Sequence, residues 1–110
     1  MPDKDLCNLK GCLEALNKAL AFTASYANAE EFYQDPKGFD ATMMNFVVMG
    51  EMVSRMSDEF MTEHANIPWS LIKAFRNIVA HDYFGIDADE TWQIIKTELP
   101  KLKIQLEQLI

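Results

Sequence analysis

The sequence predicts an all-α fold: an up-and-down bundle of four main helices with one short helix added. Three observations carry this. Apolar residues recur three and four apart over long windows, the period of one helix face. The period-two alternation of a half-buried strand is absent. The strongest breaks fall where helices start or stop, at Asp35-Pro36, Asn66-Ile67-Pro68 and Gly85-Ile86-Asp87.

The elements follow in order. Leu6, Leu9, Leu13, Leu16 and Leu20 share one face and define a first helix of about twenty residues. A short extra turn is expected around residues 29 to 34. Asp35-Pro36 is a helix-start signature, since proline suits a first turn, and a second long helix is expected from about Phe39 to about His64. Its methionines, Met43, Met49 and Met56 among them, read as filler for irregular gaps in the core. The residue before a proline is pushed out of the α region, so Ile67-Pro68 ends one helix and starts a third near Pro68. Gly85-Ile86-Asp87 closes that helix, because glycine takes a left-handed cap cheaply, and Asp87 or Asp89 caps the next. The last helix carries Trp92, Ile95, Leu99, Leu102, Leu106 and Leu109, with a bend expected at Pro100.

Composition narrows the function. The 110 residues make one domain, 1–110, and with 49% hydrophobic and 25% charged residues it has enough apolar material for a packed core. No apolar run has the length of a membrane span and the first residues lack a signal-peptide core, so a cytoplasmic protein is expected. Cys7 and Cys12 match neither a metal-ligand nor a redox spacing and read as buried, reduced thiols. A net charge of −7 repels nucleic acid in general, so no DNA partner is expected and any RNA contact must come from a local cluster.

That cluster lies in the third helix. Leu71, Ile72, Phe75, Ile78 and Val79 form the face that enters the bundle. The remainder holds Trp69, Lys73, Arg76, Asn77, Ala80, His81, Tyr83 and Phe84. Aromatic residues and one alanine beside the charges describe a surface covered by another chain, and a homodimer built partly on this face is expected. Arg76 and Tyr83, seven apart, share a stripe, whereas His81 stands about 140° around from Arg76 and lines up with Asn77. The two groups diverge within one chain but can converge across a two-fold axis. An imidazole that moves a 2′-hydroxyl proton and a guanidinium that holds the phosphate are what RNA cleavage without a metal needs. No phosphate-binding glycine loop, Ser-His-Asp arrangement or carboxylate-histidine cluster at ligand spacing offers a rival, so no metal or cofactor is expected.

The same residues have quieter readings. A histidine near a helix C-terminus often serves the dipole. His64 reads as the end of the second helix, and Arg55 and Lys73 as solvated charges. Glu51, a carboxylate among apolar neighbours, is either a hydrogen-bonded core residue or, like Asn77, an orienter of the site.

RNIVAHDYFGID, with Ile67-Pro68-Trp69, Gly50-Glu51 and Leu99-Pro100 in matching order and spacing, resembles the HepT-like family of HEPN domains from about Glu31 to Leu106. The family motif of arginine, four residues, histidine, one residue, tyrosine falls on Arg76, His81 and Tyr83. The resemblance implies a HEPN-like, homodimeric ribonuclease toxin with the arginine and histidine of both subunits in a cleft at the interface. It further implies a minimal nucleotidyltransferase antitoxin that adds AMP to Tyr83. Two alternatives stand beside this: a non-catalytic, nucleotidyltransferase-associated substrate-binding subunit of similar helical fold, and a dimeric scaffold in which Arg76 and His81 only pair across the interface.

Overall fold

The computed structural model describes residues 3–82 and 88–110, and the side chains of all of these but 78–82. The described residues are helical without strands: α1 Asp3–Thr23, α2 Ala29–Gln34, α3 Pro36–Ser54, α4 Asp58–Glu63, α5 Trp69–Asp82, α6 Ala88–Gln93, a π-helical turn Ile94–Glu98 and α7 Leu99–Glu107. The bundle's spine is α3, which packs most extensively against α1 and then against α5; α7 lies along α1, and α2 along α6.

Local chemistry sets most of the boundaries. The Asn28 side chain accepts from the Glu31 amide at 2.9 Å and opens α2, where the short helix is expected. Asp35 opens α3 in the same way: its carboxylate accepts from the Gly38 amide at 3.4 Å and from the Tyr26 hydroxyl at 2.6 Å, with Pro36 in the first turn. Where a bend is expected at Pro100, the structure has a π-helical turn, Ile94–Glu98, just before it, which accommodates the hydrogen bond a proline cannot donate.

Three expectations need correction. The second long helix does not run to His64: it stops at Ser54, and α4 begins after Ser57. The cause is a buried carboxylate. Asp5 accepts from the Ser57 amide at 2.8 Å and from the Ser57 hydroxyl at 2.7 Å, drawing that peptide out of the helix. The same hydroxyl accepts from the Phe60 amide at 3.2 Å and caps α4, while His64 stands at the C-cap of α4 against the Phe60 ring. Trp69 is not on the outward face of α5 but buried, its indole N–H donating to the carbonyls of Met61 and His64 at 3.2 and 3.1 Å. Those carbonyls close α4 at its last turn and C-cap, and the His64 carbonyl also accepts from the Ile67 amide at 3.1 Å. Cys7 is exposed; Cys12 alone is buried, and desolvation pushes its thiol up to about 12, which leaves it a packing group.

The core follows the remaining pattern with one rotation. Leu9 and Leu16 are fully buried, but Leu6, Leu13 and Leu20 are only partly so; Cys12, Ala15 and Ala19 complete the inner face of α1. Small side chains on that face admit a neighbouring helix at close range, and α3 is the one most closely packed there. Met43, Met49 and Met56 fill the interior as expected, whereas Met44 is exposed.

The Ser57 amide and hydroxyl hold the Asp5 carboxyl below its ordinary value, the amide contributing more. A carboxylate with a depressed folded pKa contributes stability above its unfolded value of about 3.9 and loses it as pH falls through the folded value. Asp5→Asn is therefore expected to lower the urea midpoint at pH 7 and to flatten its decline below about pH 4. Urea titrations of both proteins across that range check this; parallel decline in the two would assign the acid sensitivity elsewhere.

Candidate functional site

The site is built where α3 crosses α5. Phe46 and Phe75 stack with ring centroids 5.0 Å apart, and Ile72 and Phe75 are fully buried, so the apolar face of α5 is held to α3. One turn further along, no side chain separates the helices. A Cβ on Gly50 would lie 2.7 Å from Arg76 Cβ, 3.1 Å from the Arg76 amide nitrogen and 3.3 Å from the Ile72 carbonyl oxygen. Glycine is required there by the approach of another backbone, since its own dihedrals are ordinary.

That approach brings Glu51 to Arg76. The carboxylate Oε1 lies 3.0 Å from guanidinium Nη1, with the side chains 36% and 46% exposed respectively. An ion pair so open to water contributes only about 0–1 kcal/mol to stability. Its effect is geometric: the stem of Arg76 rests on Gly50 and its head on Glu51, both from α3. Of the two readings of Glu51, a partly exposed carboxylate on a guanidinium departs from the hydrogen-bonded core residue. Asn77 and Lys73 are exposed on α5 beside Arg76. Arg55 is exposed at the C-cap of α3, and its carbonyl takes the Asn8 amide at 3.2 Å.

His81 lies in the last turn of α5, and its backbone is helical. Five residues beyond Arg76, it stands about 140° around the axis and about 7.5 Å along it, so the two positions diverge within one chain. The His81 side chain, Tyr83, Phe84, the outward contacts of Ala80 and the cap at Gly85-Ile86-Asp87 lie outside the described residues. Among the described residues, no group of three or more His, Cys, Asp or Glu side chains could hold a metal ion, and no helix is long and apolar enough to cross a membrane.

Sequence reading misses two parts of this arrangement. Gly50 enters it only as half of a motif, and its function as the gap between two helices has no local signal. The pairing of Glu51 with Arg76 is likewise long-range. Only the apolar company of Glu51 hints that so placed a carboxylate has a purpose.

Comparison with known proteins places the chain. The model of the family described as ribonuclease HepT-like matches residues 12–109. A Methanocaldococcus jannaschii protein named as a candidate RNase is 32% identical over 95 residues, covering 86% of each chain. A candidate RNase of Caldanaerobacter subterraneus is 31% identical over 81 residues, 74% of this chain and 72% of its own. A candidate ribonuclease HepT of Thermococcus cleftensis is 28% identical over 103 residues, 91% of this chain and 94% of its own. No solved structure matches. With its all-helical fold and nearly its whole length inside the family model, the chain belongs to the HepT-like ribonuclease family.

Proposed function

We propose that this protein is the toxin of a toxin–antitoxin pair: a cytoplasmic endoribonuclease that cleaves RNA without a metal, through a site completed by a second copy of the chain. The observation that carries this is the fixed Arg76 at the crossing of α3 and α5, with His81 further along the same helix in a member of a ribonuclease family. Because the two positions diverge within one chain, a two-fold partner supplies the histidine that faces each arginine. One His81 takes the proton from a 2′-hydroxyl. The 2′-oxygen then attacks the adjacent phosphorus, the bond to the 5′-oxygen breaks, and the second His81, as imidazolium, protonates that leaving oxygen. Arg76 faces the non-bridging oxygens as charge builds on them. The products are a 2′,3′-cyclic phosphate and a free 5′-hydroxyl.

Control of the site is assigned to Tyr83. A phenol titrates near 10 and is a poor base at neutral pH, but its oxygen is a competent nucleophile toward an activated phosphorus. A nucleotidyltransferase antitoxin would direct the phenol oxygen onto the α-phosphorus of ATP, releasing pyrophosphate and leaving AMP on the ring. If the helical period of α5 runs on to residue 83, the modified tyrosine shares the stripe of Arg76, and a negative phosphodiester there would compete with the RNA phosphate for the guanidinium. Net charge of −7 favours the rival reading, a substrate-binding subunit without catalysis, because an acidic protein encounters RNA slowly.

Cleavage assays separate the two. Wild-type protein is expected to cleave RNA in chelator, leaving cyclic phosphate ends; His81→Ala is expected to abolish cleavage and Arg76→Ala to reduce it on the order of 10²-fold. Adding excess His81→Ala protein to wild type under subunit exchange should silence the wild type, because each mixed dimer keeps only one of the two imidazoles that the proton transfers use. Undiminished cleavage by His81→Ala, or undiminished cleavage by dimers of wild type with His81→Ala, contradicts the composite site.

Tyr83→Phe keeps the ring and removes the nucleophile. It is expected to cleave RNA as wild type does and to resist silencing by the nucleotidyltransferase with ATP and magnesium. Mass spectrometry of treated wild-type protein should find an AMP adduct on the peptide containing Tyr83, and silencing without that adduct would remove Tyr83 from the control step.

A further inference from the structure

Arg76 is gripped at both ends by α3, a helix that carries none of Arg76, His81 and Tyr83. Gly50 leaves no room between α3 and the Arg76 stem, and Glu51, the next residue, takes Nη1 at 3.0 Å. A free arginine on a helix surface samples many rotamers, and each must be abandoned when a phosphate is held; an arginine held in place beforehand escapes that loss. The contact is too exposed to matter much for folding, and a carboxylate beside a phosphate-binding cation lowers its attraction for anions in an already acidic chain. A residue that weakens substrate attraction and adds little stability is explained if it orients the group it touches.

We infer that Glu51 is the positioning residue of Arg76: it anchors Nη1 so that other N–H donors of the guanidinium meet the phosphate in the geometry of the transition state. Glu51 transfers no proton and touches no substrate. Because it anchors one nitrogen of a five-donor fork, the remaining donor set suffices for a phosphate oxygen pair. The kinetic consequence rests on the ribonuclease reading; the anchoring itself does not. In the bound state both partners of Arg76 are engaged together, so Glu51 acts on the turnover step, and its charge acts on substrate attraction in the opposite sense.

Two substitutions separate charge from contact. Glu51→Gln keeps an oxygen that accepts from Nη1 and removes the charge, whereas Glu51→Ala removes both. Glu51→Gln is expected to lower KM several-fold and to hold kcat within about 3-fold, and Glu51→Ala to lower kcat about 10-fold or more without raising KM, the pattern of lost orientation in the transition state. Independently of activity, NMR of the Arg76 guanidinium should show hindered rotation about its Nε–Cζ bond in wild type and in Glu51→Gln, and free rotation in Glu51→Ala. Titration with inorganic phosphate should give tighter binding to Glu51→Gln, which loses the charge and keeps the contact, than to wild type. Equal Arg76 mobility in wild type and Glu51→Ala, or wild-type kcat in Glu51→Ala, overturns the inference. A Glu51→Gln variant as slow as Glu51→Ala, with hindered rotation intact, would overturn it in favour of proton transfer. Should wild-type protein cleave no RNA, the ribonuclease reading fails and the NMR comparison alone decides the anchoring.

Discussion

The close approach between the two helices that frame the site, Gly50 of α3 against the Arg76 stem of α5, is the constraint on which the rest depends. Stacked Phe46 and Phe75 and the buried Ile72 draw the helices together, but dispersion and burial alone would be satisfied by many crossings. A missing Cβ selects one. It lets α5 settle until its backbone meets that of α3, and the residue after the glycine then stands beside the guanidinium. Packing specificity and charge placement are therefore one event here. The ion pair contributes little energy, yet it stands where it does because an apolar contact of larger energy determines where α5 lies.

The end of α3 matters for the same reason. Had the helix continued through Ser57, the chain could not have turned to lay α5 back along α3. Asp5 stops it by capturing the Ser57 amide and hydroxyl, and Trp69 completes the turn by donating to the carbonyls that end α4. Both devices satisfy polar groups that a helix end leaves open, so each of these two corners is also a hydrogen-bonded closure. The site lies beyond these corners, on two helices each held at its corner end and packed closely at their crossing.

What was legible in the sequence was local. Asn28 and Asp35 accept from amides three residues on, chemistry that a short window contains, and α2 and the start of α3 follow. The break at Ser57 had a local signal too, a capping serine followed by Asp58 and Glu59. Apolar spacing through Val53, Met56 and Phe60 ran across it, and its deciding partner, Asp5, is 52 residues away. Trp69 was misplaced because angular counting treats a first-turn residue like an interior one, whereas here the carbonyls of a neighbouring helix aim the side chain. On α1 the leucines marked the right side, but the small residues between them face inward, since close helix packing prefers small side chains to large ones. Arg76 could be chosen by its motif and Glu51 named as one of two readings, an orienter of the site, but their pairing could not be read, because nothing in either segment encodes the crossing.

Equilibrium unfolding of Gly50→Ala tests the central constraint most directly, because two effects oppose each other in sign. Alanine in a helix interior is favoured over glycine by about 1 kcal/mol, so a glycine kept for no spatial reason would be improved by the change. A methyl group forced against the Arg76 Cβ and backbone must instead push two helices apart, at a cost of about 1–3 kcal/mol. The account predicts a variant less stable than wild type in urea; a variant more stable than wild type would contradict it.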